Sequence, residues 1–188
     1  MDLRLLAVGK LRPAYREAGD EYLKRLRRYA AVQEIEIREA SRAPTGVVQR
    51  REEAARLRAK LPGDGFLVAL DREGTYLTSE ALAHQLRRWS ESPRSLAFMI
   101  GGSTGLADDI RQAAAFRWSL GPLTLPHELA RVVVLEQLYQ TLGVGLVAVR
   151  IEVKVFLPEP FFEPFGHRSP GPGAAARLIC DTVRPAGS

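Results

Sequence analysis

Two glycine-containing turns are the part of this 188-residue sequence that is best suited to bind a small molecule. Apolar residues 96–100 run into the sequence GGSTG, and apolar residues 116–120 run into a Gly121-Pro122 turn. A helix is predicted after each turn. Ligands bind at the carboxyl ends of parallel strands, where backbone N–H groups and positive helix ends are free. Two such ends side by side predict one small-molecule site.

Neither turn is specific when it is taken alone. Glycine after a strand is common turn chemistry. The sequence GGSTG has the spacing of neither a dinucleotide fingerprint nor a phosphate-binding P-loop, and it lacks the P-loop lysine. A generic nucleotide-binding domain is therefore a weak alternative.

The elements that must position these turns alternate along the chain. Nearly continuous apolar runs predict strands buried on both faces at 3–8, 66–70, 96–100 and 116–120, and an alternating pattern predicts a half-buried strand at 32–37. Helical spacing predicts helices at 13–29, 47–61 and 77–89, one opened by Asp108 and Asp109, and a long one from His127. This order predicts one doubly wound α/β domain with a mainly parallel sheet.

Composition narrows the class of protein. The hydrophobic fraction of 46% and the charged fraction of 26% are typical of a soluble globular chain. The sequence has no apolar run near the ~20 residues of a membrane span and no evident signal peptide. A single cysteine, Cys180, excludes an intramolecular disulfide, and no cluster has metal-ligand spacing. We expect a cytoplasmic protein that contains no structural metal and does not bind a membrane.

Positive charge is concentrated in the first third of the chain. Residues 1–60 carry 15 Lys and Arg against 9 Asp and Glu, although the whole chain has a net charge of only +5. Arginine dominates this excess and suits bidentate phosphate contacts. The asymmetry favours a nucleic-acid partner, while solvated arginine-rich helix faces are the alternative.

The composition changes near residue 143. The last 46 residues hold 6 of the 12 prolines and 6 of the 16 glycines. Residues 147–156 alternate like an exposed strand, and turn-forming sequence follows. We therefore divide the chain into a domain at 1–142 and a Pro/Gly-rich tail at 143–188.

Three segments together resemble a known family. They are LRLLAVGKLRPAYREAGDEYLKRLRRY near the start, IGGSTG, and SLGPLTLPHELARVVVLEQLY. They resemble the SPOUT methyltransferases, and in particular the ribosomal RNA large subunit methyltransferase H family. The resemblance implies a C-terminal trefoil knot, a homodimer, and S-adenosyl-L-methionine as the cofactor. It also implies methylation of N3 of a pseudouridine in the 23S rRNA of the assembled ribosome, with the basic N-terminal helices facing the RNA.

The resemblance also implies which residues hold the cofactor. Leu70 lies at the end of the strand predicted at 66–70, and Gly101 lies in the first glycine turn. The others form the loop after residue 119: Leu120, Gly121, Pro122, Leu123, Thr124 and Leu125. Backbone groups of tight turns and small apolar side chains suit adenine. Glycine at positions 101 and 102 lets the backbone approach closely where a Cβ would clash.

The start of the long helix supplies the candidate catalytic residues. His127 and Glu128 can orient the substrate or help to remove the N3 proton. The alternative is that Glu128 compensates the helix dipole and that His127 makes only local hydrogen bonds. Arg131, one turn later, is a candidate for binding RNA phosphate, or it pairs with a nearby carboxylate. We expect His84 at the surface, and Trp89 and Trp118 in packing roles.

The sequence departs from the family after Tyr139. Family members continue with an arginine and a short helix and end in a Tyr-His-Arg or Tyr-His-Lys tail, which is thought to reach the partner subunit's active site. A longer, unrelated segment replaces that tail here. His167-Arg168 matches the last two residues of the family tail, but the residues before it do not. The alternative function is therefore a cofactor- or ribosome-binding homologue that has lost methyl transfer through its altered C-terminus.

Overall fold

The computed structural model describes residues 1–143 except 62, 64 and 92–94. Strands and helices alternate along this part of the chain. The strands are β1 (Asp2–Val8), β2 (Ala31–Ile37), β3 (Phe66–Tyr76), β4 (Leu96–Ile100) and β5 (Phe116–Ser119). The helices are α1 (Pro13–Leu26), α2 (Gly46–Arg58), α3 (Ser79–Ser90), α4 (Asp108–Ala113) and α5 (His127–Gly143).

The five strands form one sheet in the order β2-β1-β4-β3-β5. Every pairing among them is parallel, with Leu3 opposite Val32 on one side and Leu96 on the other. All five carboxyl ends therefore lie along the same edge of the sheet. The predicted α/β class and parallel sheet are confirmed.

Helices cover both faces of the sheet, because the side chains of a strand point alternately to opposite faces. On one face, core residues of β1, β3 and β4 pack against α1, α3 and α5; this cluster includes Leu5, Phe98, Leu23, Leu86 and Leu135. On the other face, they pack against α2 and α4; this cluster includes Leu6, Met99, Leu57 and Ile110. This is the arrangement of a doubly wound fold.

Two helices end earlier than the periodicity predicts. The α1 helix ends at Leu26 and not near 29, and α2 ends at Arg58 and not near 61. In both cases the chain continues in tighter turns, with Tyr29 N–H donating to the Leu26 carbonyl at 2.9 Å and Lys60 N–H donating to the Leu57 carbonyl at 3.0 Å. Side-chain periodicity continues through such turns and does not mark where the α-helical bonds stop.

The third strand runs further than expected. We expected it to end at Leu70, because Asp71-Arg72-Glu73-Gly74 has turn composition. Instead, β3 continues to Tyr76 with a shift in register, and both Leu70 and Thr75 lie opposite Trp118 of β5. The four residues form an irregularity within the strand, and they place Asp71 and Arg72 at the carboxyl edge.

The predicted tail lies outside the described residues. The strand expected at 147–156 and the segment 143–188, apart from Gly143 at the end of α5, cannot be compared with this fold. The division at 142 therefore stays a prediction.

Candidate active site

A cavity of about 520 Å³ opens where three neighbouring strands end. It lies at the carboxyl ends of β3, β4 and β5, and the loop that leads into α5 forms one of its walls. Its lining includes Leu70, Asp71, Arg72, Ile100, Gly101, Gly102, Ser103, Gly105, Trp118, Ser119, Leu120, Gly121, Leu123, Thr124, Leu125, Pro126, His127 and Ala130. A cavity of this size, with apolar walls and a few polar groups, is typical of small-molecule sites.

The first glycine turn folds back on itself. Gly102 and Gly105 form an isolated antiparallel bridge, and Gly105 has a φ of 79°. A Cβ on Gly101 would lie 2.4 Å from the carbonyl carbon of Gly105 and 2.6 Å from the amide nitrogen of Leu106. Glycine is therefore required at 101 because the loop approaches its own backbone. We had expected that requirement to come from a ligand.

The second glycine turn is fixed by a serine hydroxyl. Ser119 Oγ accepts a hydrogen bond from Gly121 N–H at 3.3 Å and lies 3.1 Å from the Arg72 carbonyl oxygen, to which it can donate. Gly121 has a φ of 121°, a conformation that residues with a Cβ rarely adopt. The hydroxyl therefore ties the ends of β3 and β5 together at the cavity wall.

The structure brings together most of the residues predicted to hold the cofactor. All of them except Pro122 line the cavity. Pro122 is exposed and precedes Leu123, whose 75% exposure is the highest among the large hydrophobic residues that the structure describes. Their roles in binding remain predictions, and Pro122 has the weakest geometric support.

Several lining residues were not singled out from the sequence. Ser119 belongs to no sequence motif, because its importance comes from its contacts with Arg72 of β3 and with Gly121 of the turn that follows it. Asp71 and Arg72 could have been found, since they follow a predicted buried strand at the edge where ligands bind. Asp71 is only 9% exposed, and its carboxylate accepts a hydrogen bond from Arg117 at 3.3 Å.

His127 lies in the cavity against the end of β1. A Cβ on Gly9, which has a φ of 88°, would lie 3.0 Å from His127 Nε2. The first strand therefore contributes to the site through its carboxyl end. His127 is placed to contact a ligand in the cavity.

Glu128 turns away from the cavity and binds the loop after β1. Its carboxylate accepts hydrogen bonds from the Arg12 backbone N–H and from Arg12 Nε, both at 2.7 Å. The backbone hydrogen bond, helped by the Arg12 guanidinium, lowers the pKa of Glu128 below its ordinary value of 4.5. Glu128 therefore joins α5 to the start of α1, a role that the sequence did not suggest.

The lowered pKa of Glu128 predicts a pH dependence of stability. A carboxyl group whose pKa is lowered by folding stabilises the protein above its unfolded-state pKa and loses this effect as pH falls through the folded-state pKa. Between about pH 5 and pH 3, we expect the native protein to lose more free energy of unfolding than Glu128→Gln does. Urea denaturation at several pH values measures this, with the exposed Glu17→Gln as the control. Parallel curves for native protein and Glu128→Gln would contradict the expectation.

Arg131 requires a correction. Its guanidinium is 0% exposed, so it is not available to RNA phosphate. It donates to Glu34 at 3.2 Å, to Glu36 at 3.0 Å and to the Gly9 carbonyl at 2.8 Å. The alternative of pairing with a carboxylate is therefore confirmed, and the phosphate-binding hypothesis is wrong, because Glu34 and Glu36, about a hundred residues away in sequence, cover the side chain. Arg131 instead fixes the backbone of Gly9, against which His127 packs.

The remaining expectations about single residues agree with the structure. His84 is exposed on α3. Trp89 packs between Phe66 and Phe116, with ring centroids 5.3 and 5.1 Å apart. Trp118 is 3% exposed and packs edge-on against Phe98. Both tryptophans are core residues.

Comparison with known proteins identifies the class to which this fold and cavity belong. The family model described as predicted SPOUT methyltransferase matches residues 1–145. The chain therefore belongs to the SPOUT methyltransferase family. The crystal structure of the tRNA (m1G37) methyltransferase from Aquifex aeolicus is similar in fold, with a TM-score of 0.50 and 18% identity over 79% of this chain and 74% of that one.

Closer relatives define the group within the family. The ribosomal RNA large subunit methyltransferase H of Rubrobacter xylanophilus is 47% identical over 144 residues, which cover 74% of this chain and 91% of that protein. The protein of the same name from Anaeromyxobacter dehalogenans is 41% identical over 145 residues, 77% of this chain and 95% of that protein. The resemblance to the ribosomal RNA large subunit methyltransferase H family is confirmed.

The described part of the chain lacks a membrane-spanning helix and a metal-binding cluster. Among residues 1–143, with the gaps stated above, no helix has the length and apolar character of a membrane span. No group of three or more His, Cys, Asp or Glu side chains could hold a metal ion in that part of the chain.

Proposed function

We propose that this protein transfers a methyl group from S-adenosylmethionine to N3 of a pseudouridine in the 23S rRNA of the large ribosomal subunit. One observation carries the proposal. The residues that the resemblance assigns to the cofactor come from separate segments, and all but Pro122 line one cavity at the carboxyl ends of β3, β4 and β5.

The cavity fits the proposed cofactor. Its volume of about 520 Å³ is in the range of sites for molecules of this size. Leu70, Leu120 and Leu125 supply apolar walls suited to adenine, and the turns at Gly101 and Gly121 supply backbone groups without side chains between them and the ligand. When bound, S-adenosylmethionine supplies an electrophilic methyl group.

The chain's contribution to the reaction is positioning and proton removal. The N3 proton must leave the base before or during methyl transfer. His127 lies in the cavity wall, and we assign it the role of orienting the base and accepting this proton. Arg131 and Glu128 position His127 indirectly, because they bind the Gly9 carbonyl and Arg12 in the adjoining loop.

The role of His127 predicts a large effect on turnover. We expect His127→Asn to lower kcat by about 100-fold, the lower end of the range for general acid–base catalysis. Its affinity for S-adenosylmethionine should change little. Steady-state methyl transfer measures kcat, and His84→Asn on the exposed face of α3 serves as the control. An unchanged kcat for His127→Asn would remove this residue from the reaction.

Several features remain part of the proposal. They are the trefoil knot, the homodimer, the cytoplasmic location, the contact with assembled ribosomes and the absence of a metal requirement. The resemblance supports the first four, and the proposed chemistry needs no metal, since positioning of two bound reactants is sufficient. The alternative of a homologue that has lost methyl transfer is not favoured, because the relatives reported above are named methyltransferases.

Calorimetry and a transfer assay test the function. S-adenosylmethionine is titrated into the protein, and labelled methyl transfer is then measured to ribosomes that lack the modification. We expect saturable binding and transfer, with the label mapped to N3 of one pseudouridine. Binding without transfer would restore the alternative function, and a grafted family-like terminus after Tyr139 should then recover activity. Absence of binding would overturn the cofactor assignment.

A further inference from the structure

A second, smaller cavity adjoins the proposed cofactor site. Its volume is about 310 Å³, and it shares four lining residues with the main cavity: Leu70, Asp71, Arg72 and Gly105. Its other lining residues are Arg50, Thr104, Leu106, Asp108 and Arg111. We call this second cavity the arginine groove. It leads from the surface beside α2 to the mouth of the active site.

Two of the three arginines in the groove have no carboxylate partner among the residues that the structure describes. Arg111 pairs with Asp108 and lies 3.6 Å from Asp71. Arg50 donates only to the Thr104 carbonyl, at 3.4 Å, and Arg72 makes no ion pair with any described residue. Arg72 is also exposed. The groove therefore presents two guanidinium groups that are not neutralised by the described part of the chain.

The fold separates these arginines from the other basic cluster. The start of α2 lies beside the first glycine turn, since a Cβ on Gly46 would be 3.4 Å from Thr104 Cγ2. In contrast, α1 runs antiparallel to the strands, so its last turn and the following Arg27 and Arg28 lie near the amino edge of the sheet. The resemblance implied that both basic helices face RNA. Both begin at the carboxyl edge, but Arg16 in the first turn of α1 is paired with Glu34 at 2.7 Å, whereas Arg50 in α2 has no carboxylate partner among the described residues.

We propose that Arg50 and Arg72 bind the phosphates that flank the methylated nucleotide. This proposal rests on the proposed function. A base that enters the main cavity must leave its sugar–phosphate backbone outside, and the arginine groove joins the cavity mouth to the surface. Guanidinium groups suit this position because they bind phosphate oxygens in a bidentate manner and remain charged.

The test compares charge removal in the groove with charge removal at the opposite edge. We would measure retention of large ribosomal subunits lacking the modification on filters, from about 50 to 200 mM salt. The variants are Arg50→Gln, Arg72→Gln and their combination, and Arg27→Gln with Arg28→Gln is the matched control. Each lost phosphate contact should reduce the slope of log affinity against log salt by roughly 0.7 to 0.9. Arg50→Gln, at a residue outside the main cavity, should also raise KM for RNA while kcat stays near the native value.

A structural role for Arg50 is tested separately. Arg50→Lys keeps the charge, so it should retain the native salt slope. Arg50→Gln would also retain that slope if it only loosened the loop, because no phosphate contact would then be lost. Since Arg50 lies outside the main cavity, Arg50→Gln should bind S-adenosylmethionine with native affinity in calorimetry. A reduced slope in Arg50→Gln with native cofactor affinity would therefore indicate a phosphate contact.

The outcomes separate this proposal from the proposed function. Two results would overturn the phosphate-binding role of the groove and leave the proposed function standing. In both, the native protein transfers methyl groups. In the first, the double variant keeps the native salt slope, and in the second, the Arg27 and Arg28 control loses as much slope as the double variant. RNA retention that depends on Arg50 and Arg72 but occurs without methyl transfer would support the groove and overturn the function.

Discussion

Replacing Gly101 with alanine should destabilise the protein by about 3 kcal/mol and abolish cofactor binding. The new Cβ would lie 2.4 Å from the carbonyl carbon of Gly105 and 2.6 Å from the Leu106 amide nitrogen, both of them backbone atoms. Overpacking against atoms that cannot rotate away costs about 1–3 kcal/mol or more. The loop that must move to relieve the clash forms one wall of the cavity. Thermal unfolding should show a fall in Tm of roughly 6–12 °C.

A glycine in open space provides the control for this variant. A Cβ on Gly63 would meet no atom within 4 Å, and its φ is not in the left-handed region. Gly63→Ala should therefore keep native stability and native affinity for S-adenosylmethionine. If Gly101→Ala kept native stability and native affinity, it would contradict the close approach of Gly101 to the backbone of Gly105 and Leu106. If it folded stably but lost the cofactor, the glycine requirement would come from the ligand, as the sequence first suggested.

Replacing Arg131 with methionine should lower the free energy of unfolding by about 3–5 kcal/mol, the usual effect of removing one partner from a buried ion pair. The change removes the 2.8 Å donor of the Gly9 carbonyl and the nearest guanidinium of Glu36, which keeps the Leu11 N–H at 3.3 Å and Arg16 at 3.5 Å. Glu34 keeps its 2.7 Å ion pair with Arg16. Urea denaturation measures the loss. Adding Glu36→Gln to Arg131→Met should recover part of it, because it removes a carboxylate that has lost its nearest positive partner.

An exposed ion pair gives the matched control for Arg131. Arg58 contacts Asp109 at 2.6 Å, and both side chains are about half exposed. Arg58→Met should therefore change stability by about 1 kcal/mol or less. Equal stabilities for Arg131→Met and Arg58→Met, with weaker RNA binding only in the former, would favour the phosphate-contact hypothesis over the buried ion pair.

The sequence predicted the layered fold well because its central strands are buried on both faces. Leu96 to Ile100 is a continuous apolar run, and a strand in the middle of a parallel sheet needs that composition. The extension of β3 could not be predicted in the same way. Asp71 to Gly74 has the composition of a turn, and only pairing with Trp118 on both sides of the irregularity keeps these residues within the strand.

The position of the site was predictable because it follows from where the strands end. The contacts of its charged side chains were not, because they join residues that are far apart in sequence. The two glycine turns identified the right edge of the sheet, because topology alone brings the ends of parallel strands together. Burial of Arg131 could not be inferred, because Glu34 and Glu36 come from β2 and no local pattern links them to α5. Similarly, nothing near Glu128 in the sequence indicates that it binds Arg12.

The place of β4 between β1 and β3 makes assembly of the sheet dependent on late-synthesised residues. Strand β1 can pair with β2 as soon as residues 31–37 have been made, but its other edge has no native partner until β4 has been made. Helix α5, which packs on α1 and carries His127, follows later still. Pairings this distant in sequence slow folding, and an open apolar edge invites pairing between chains. We therefore expect the growing chain to be prone to aggregation until β4 closes the edge of β1.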